Sequence, residues 1–119
     1  METALLTVTV DGRVVTAKGD IDLFTADSFR HAIESAIHES DGEVVADLRA
    51  VDFIDSAALM VLLGSHRALK AAGRGFCTVC APHSQPQRVI VDLSLFDTVW
   101  RHCTIPLGES LTADNSDCN

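Results

Sequence analysis

Val44 to Leu63 reads VVADLRAVDFIDSAALMVLL, and this stretch decides the fold. It opens as an apolar strand, Val44-Val45-Ala46-Asp47-Leu48. A short acidic turn is expected at Asp52-Phe53-Ile54-Asp55, after which Ser56 stands at the start of a long apolar helix. Serine is a preferred N-cap because its hydroxyl oxygen accepts a bond from a free N–H of the first turn. The same place favours anions, since unpaired N–H groups and the helix dipole both attract negative charge. A hydroxyl there reads either as a cap or as a group that carries a phosphate.

Upstream, Leu5 to Val10 alternates in the strand manner, Asp11-Gly12-Arg13 is a turn signal, and Val14 to Gly19 forms a second strand of a hairpin. Thr25 to Glu39 reads as a helix with Phe29, Ala32, Ile33, Ala36 and Ile37 on one face and Thr25 as its cap. Asp41-Gly42 breaks it, and Glu43 to Leu48 is the third strand. Downstream, the helix from about Ala57 to Ala72 stops at Gly73, a glycine suited to a helix C-terminus, and its core stripe is Leu59, Leu62, Leu63 and Leu69. Gly75 to Ala81 is a fourth strand, Pro82 to Pro86 a loop, Gln87 to Leu93 a short helix, and Thr98 to Cys103 a last strand. A frayed helical turn is expected around Ser110-Leu111. The division expected is one domain over residues 1–107 and a flexible C-terminal tail over 108–119.

The order ββαβαβαβ predicts a single α/β domain. Its sheet is mixed but mostly parallel, with an antiparallel N-terminal hairpin and about three to four helices. In such sheets functional groups gather beyond the carboxyl ends of the strands. The exits Asp20-Ile21-Asp22 and Asp52 to Ser56 should therefore share one edge.

The chain has 119 residues, enough for one domain, and 47% of them are apolar. No apolar run reaches the ~18 residues that span a bilayer, and no secretory signal opens the sequence, so a cytoplasmic protein without membrane insertion is expected. A net charge of −8 argues against nucleic acid, which needs a basic footprint. There is no tyrosine, and Trp100 is the sole tryptophan, so no platform for stacking bases is visible.

Four cysteines, Cys77, Cys80, Cys103 and Cys118, read as thiols rather than a disulfide framework. Cys77 and Cys80, three apart on a strand, point to opposite faces and cannot share a zinc. A redox role is left open for the four if one of that pair meets Cys103 or Cys118. Asp20, Asp22 and Asp55 read as a solvated acidic rim rather than a magnesium site, because a carboxylate-only magnesium site usually has substrate phosphates to share the metal. No metal or cofactor is expected. Ser56, Met60, Gly64 and Arg67 follow at i+4 and i+3 spacing and line one helix side away from the leucine stripe. An exposed methionine beside a small residue suits an adaptable docking surface; a place for Met60 in the peripheral core is the equal alternative. A serine hydrolase is disfavoured: the local run Ile54-Asp55-Ser56-Ala57-Ala58 lacks the Gly-x-Ser-x-Gly elbow, and His31, His38, His66, His83 and His102 read as scattered surface residues. Gly73-Arg74-Gly75 is too short to cradle phosphates and reads as a helix stop.

Gly19-Asp20-Ile21-Asp22 before a helix, Asp47-Leu48 closing a strand, Phe53-Ile54-Asp55-Ser56-Ala57-Ala58-Leu59 opening a helix, and Ala72-Gly73 before a strand together resemble the STAS domain, in particular the free-standing anti-sigma-factor antagonists. The resemblance implies a non-enzymatic protein that binds an anti-sigma factor when unphosphorylated and so frees a sigma factor. It implies that the anti-sigma factor is commonly a serine kinase, that Ser56 is the phosphoacceptor, and that a serine phosphatase resets the switch. Where the family often has Ser-Gly after the phosphoacceptor, this chain has Ala57-Ala58. The docking surface expected takes Asp20, Asp22 and Asp55 from the strand exits, with Ser56, Ala57, Met60, Gly64 and Arg67 from the helix. The alternative is a cytoplasmic STAS subunit of a transporter, docking through the same edge without phosphorylation.

Overall fold

Asp11 and Val14 face each other across a two-residue turn, and Gly12, at φ 60°, supplies the left-handed first position that such a hairpin turn needs. This hairpin begins the computed structural model, which describes residues 6–94 and 101–111. The elements are β1 (Leu6–Asp11), β2 (Val14–Ile21), α1 (Ala26–His38), β3 (Val44–Ile54), α2 (Ser56–Ala71), β4 (Phe76–Cys80), α3 (Gln85–Ser94) and β5 (Arg101–Thr104). The order ββαβαβαβ is the one expected. The five strands lie in the sheet in chain order; β1 runs antiparallel to β2, and every later pair is parallel.

Each parallel crossover steps to the next strand in the same direction. Crossovers of one hand therefore put all three helices on one face. The core agrees. On the helical face Phe29, Ile33 and Ala36 of α1, Ala58, Leu62 and Leu69 of α2, and Ile90 of α3 close over Val15, Ala17, Ala46, Leu48 and Phe76. A second cluster, Val45, Cys77, Val79, Cys103 and Ile105, lies on the opposite face and contains no helical residue. Burying one large apolar side chain of this kind contributes roughly 1.5–3 kcal/mol.

Several boundaries differ from the sequence reading. The expected acidic turn is not a turn: Asp52, Phe53 and Ile54 complete β3, which runs on to Ile54 rather than stopping at Leu48. The pairing with β2 slips twice, between Thr16 and Lys18 and between Gly19 and Asp20, each time leaving one extra residue on β3. These β-bulges let β3 outrun its neighbour and raise its local twist. Helix α3 starts at Gln85, inside the expected loop, because the Ser84 hydroxyl accepts the Gln87 N–H at 3.2 Å and Pro86 is tolerated in a first turn. Strand β5 begins at Arg101; the expected residues 98–100 lie outside the described ones. No helical turn forms at Ser110-Leu111; the turn falls at Leu107–Gly108 instead. Of the expected tail, residues 112–119 lie outside the described residues. At its start the Glu109 carbonyl accepts from the Arg49 guanidinium, and Leu111 packs against the second cluster.

Helix α2 ends as its glycine requires. Gly73, at φ 73°, lets Arg74 N–H reach the Leu69 carbonyl at 2.8 Å while its own N–H reaches Lys70 at 3.0 Å, the paired bonds of a Schellman motif. The Arg74 guanidinium then donates to the carbonyls of Ile37, Ser40 and Gly42 and closes the end of α1. Among the described residues no helix is long and apolar enough to cross a membrane.

Candidate functional site

The two strand exits meet. Ile21 pairs with Ile54 and Asp20 with Phe53, and the Asp55 N–H donates to the Ile21 carbonyl at 3.2 Å. Asp20, Asp22, Asp55 and Ser56 therefore share one edge of the sheet, beyond the carboxyl ends of β2 and β3. The far end of β3 is fastened from a third element. The Gln85 amide donates to the Ile54 carbonyl and accepts the Ile54 N–H, both at 2.9 Å.

Ser56 is not the helix cap. Asp55 occupies the N-cap position with extended backbone, and its Oδ1 accepts the N–H groups of Ala57 at 2.9 Å and Ala58 at 3.2 Å. Ser56 is the first residue of α2 and is exposed. Aspartate outcompetes serine because its carboxylate both accepts the bonds and complements the helix dipole. Two N–H groups that could have received a phosphate are thus already held by a carboxylate. Thr25, by contrast, does stand at the N-cap position of α1, as the sequence reading expects. Its side chain makes no cap bond to α1; its hydroxyl accepts the Asp22 N–H and donates to the Asp20 carbonyl, both at 2.9 Å. Asp22 in turn accepts from Phe24 N–H at 2.9 Å and Thr25 N–H at 3.2 Å. The acidic rim is therefore not simply solvated: two of its three carboxylates organise the loops. Among the described residues no three His, Cys, Asp or Glu side chains are placed to hold a metal.

Along α2, Ser56, Met60, Gly64 and Arg67 are all exposed, which decides Met60 against peripheral core, while Ala57 is half-buried. Arg67 lies about 16 Å from Ser56 along the axis at ~1.5 Å per residue, too far to neutralise a charge there. Between α1 and α2 runs a groove of ≈ 260 Å³ whose lining includes Arg30, Glu34, Met60, Val61, Gly64 and Ala68. Arg30 bridges Asp27 at 2.8 Å and Glu34 at 3.1 Å, and its hydrogen bond holds the Asp27 carboxyl below the usual range. A methyl group on Gly64 would meet nothing within 4 Å, so packing inside the chain does not require glycine at this mid-helix position. His66, expected at the surface, is buried at 2% exposure beside Ser65 and Leu62 in the helix.

The sequence reading missed three residues of this edge. Leu23 is 74% exposed, Phe24 85% and Phe53 45%. The signal for the first two was available: large apolar residues between a strand end and a helix start, outside either element's periodicity.

Cys77 and Cys80 are buried on opposite faces, Cys77 with Val79 and Cys103, Cys80 with the helical core. The Sγ atoms of Cys77 and Cys103 stand 3.6 Å apart. Burial, with Glu43 adding to it, pushes the Cys77 thiol up to about 11; burial and Asp47 push Cys80 up to about 12. Both are poor nucleophiles at neutral pH. Cys118 lies outside the described residues.

The family model described as the STAS domain matches residues 4–111. Among solved structures, an anti-sigma factor antagonist from Mycobacterium paratuberculosis matches at TM-score 0.66 and 27% identity, over 76% of this chain and 81% of that one. A putative anti-sigma factor antagonist from Thermotoga maritima matches at 0.63 and 20%, over 84% and 87%. The Bacillus cell fate determinant SpoIIAA in its phosphorylated form matches at 0.56 and 21%, over 83% and 91%.

Proposed function

The chain belongs to the STAS domain family, and from that premise we propose that it is an anti-sigma-factor antagonist gated by phosphorylation of Ser56. The unphosphorylated form binds an anti-sigma factor of the serine-kinase type in the cytoplasm and so releases a sigma factor. The kinase phosphorylates Ser56, binding ends, and a serine phosphatase restores it. The protein acts by docking and is itself no catalyst.

One observation carries this reading. Capping of α2 falls to Asp55, and Ser56 is left exposed on the edge where β2 and β3 deliver their loops. A hydroxyl with no structural duty at that place is accessible to a kinase. The similarity to the mycobacterial antagonist, at 27% identity, supports the same class. Gly64 supports docking through α2. A mid-helix glycine costs about 0.5–1 kcal/mol relative to alanine, and here nothing inside the chain needs it; close approach by a partner would.

The physics of the off-state follows from the cap. A phosphate on Ser56 brings about −1.5 to −2 charges at pH 7. It arrives beside a carboxylate that already occupies the Ala57 and Ala58 donors. Exposed, that repulsion is screened and tolerated. Buried at an interface, an unpaired charge costs several kcal/mol, and ~4 kcal/mol weakens binding about a thousandfold. The switch thus acts on the interface and not on the fold.

The test is the intact mass of the chain isolated from its own cells, with its co-purifying proteins identified. A fraction heavier by one phosphate on Ser56, together with an anti-sigma kinase, is the expected result. A chain that is never phosphorylated and travels with a transporter subunit overturns the reading.

A further inference from the structure

We propose that Leu23 and Phe24, at the tip of the loop between β2 and α1, are the apolar anchor of the docking surface, and that they insert into an apolar pocket rimmed by basic side chains on the anti-sigma factor. The inference rests on the proposed function and adds to it the chemistry of the partner's binding pocket.

Exposure is the first observation. Phe24 at 85% and Leu23 at 74% are large apolar side chains that contribute nothing to either core cluster. Scattered single hydrophobic residues at a surface need no explanation. These are adjacent, and they stand on the same edge as Ser56 and the 45% exposed Phe53. The second observation is that the loop holds them out. Asp22 Oδ1 fixes the Phe24 and Thr25 N–H groups, and the Thr25 hydroxyl ties the Asp22 N–H to the Asp20 carbonyl. A loop fixed in this way cannot fold its tip back onto the core. It also meets a partner with little ordering left to do, which favours affinity.

Charge selects the occupant. The segments Asp20 to Ala26 and Asp52 to Met60 carry four carboxylates, Asp20, Asp22, Asp52 and Asp55, and no lysine or arginine. A second copy of the chain would bring the same carboxylates into contact, in a molecule of net charge −8, and like charges opposed at an interface are costly. A partner with lysines or arginines around an apolar pocket meets both features at once. Aromatic anchors at the centre of such an interface carry a large share of binding energy.

The experiment expresses the serine-kinase anti-sigma factors of the source organism one at a time and titrates each against the wild-type chain by calorimetry. The kinase that binds is the probe. Phe24→Ala should weaken it at least about thirtyfold with an unchanged melting curve, Phe24→Leu should recover most of the loss, and Asp52→Asn should flatten the salt dependence of binding. If Phe24→Ala binds as wild type does while Ser56→Asp loses the probe, the function stands and the anchor is refuted. If no kinase binds wild type, both fall. If wild type sediments as a dimer that Phe24→Ala dissociates, the occupant is a second copy and the proposal is overturned.

Discussion

Replacing Asp55 and Ser56 one at a time separates the cap from the switch. In Asp55→Ala the Ala57 and Ala58 N–H groups lose an acceptor at 2.9 and 3.2 Å. Loss of an aspartate cap costs about 0.5–2 kcal/mol, and loss of its charge from the helix N-terminus is worth roughly 0.3–1 kcal/mol. Taken together, about 1–2.5 kcal/mol is expected, or some 4–10 °C in Tm for a domain of this size. Ser56→Ala removes an exposed hydroxyl at the first helical position, where alanine has the better helix propensity, and should stay within ~0.5 kcal/mol of wild type. Ser56→Asp should unfold no more easily, yet lose the anti-sigma factor. Urea denaturation followed by far-UV circular dichroism measures all three, with the slope m unchanged if the native state keeps its compactness. The reasoning is refuted if Ser56→Ala costs 1 kcal/mol or more while Asp55→Ala costs nothing, since serine would then be the cap and its hydroxyl would be engaged.

The faces of α2 should respond differently. Leu62→Ala, at a fully buried site, should lose roughly 2–5 kcal/mol in the same denaturation assay, whereas Met60→Lys, 67% exposed, should leave stability unchanged and weaken binding to the anti-sigma kinase by calorimetry. The thiols should show as a decline in stability at alkaline pH. Cys77 and Cys80 ionise at about 11 and about 12 when folded but near ~8.5 when unfolded. The folded state therefore holds the more protons in that window, and stability should be intact below about pH 8.5 and fall above it, by up to ~1.4 kcal/mol per pH unit for each thiol. Unfolding free energies from pH 7 to pH 10 check the slope, and native protein should resist iodoacetamide at pH 8.

The fold was legible because its elements are punctuated by residues with clear mechanisms: Asp11-Gly12 for the hairpin, Asp41-Gly42 and Gly73 for the helix ends, and a 3.6-residue apolar period in α1. The edge that gathers Asp20, Asp22, Asp55 and Ser56 was legible too, because parallel connectivity alone brings those exits together. What escaped were matters of local competition. Serine and aspartate are both good caps, and spacing cannot say which wins when they are neighbours. The extent of β3 escaped because its core-facing residues run Ala46, Leu48, Val51, Ile54, and a bulge breaks the alternation by which a strand is recognised. His66 was taken for a surface residue on its polarity, although it follows Ser65 onto the buried side of α2. The Leu23–Phe24 tip was legible in principle, as two large apolar residues outside the periods of β2 and α1, but their exposure was not, because sequence alone does not show that the Asp22 and Thr25 bonds hold the loop away from the core.

The two bulges of β3 give this architecture an adjustment that the core does not register. Each absorbs one extra residue while residues before and after it still face the helices. A deletion that healed either bulge would leave Leu48, Val51 and Ile54 inward, but it would straighten the strand and rotate the point at which α2 departs. The bearing of Ser56 relative to the Leu23–Phe24 tip thus depends on strand length as well as on the Gln85 clamp at Ile54 and the packing of α2. Relatives of this chain could diverge in the partner geometry they present through single-residue length changes in β3, with the hydrophobic interior unaltered.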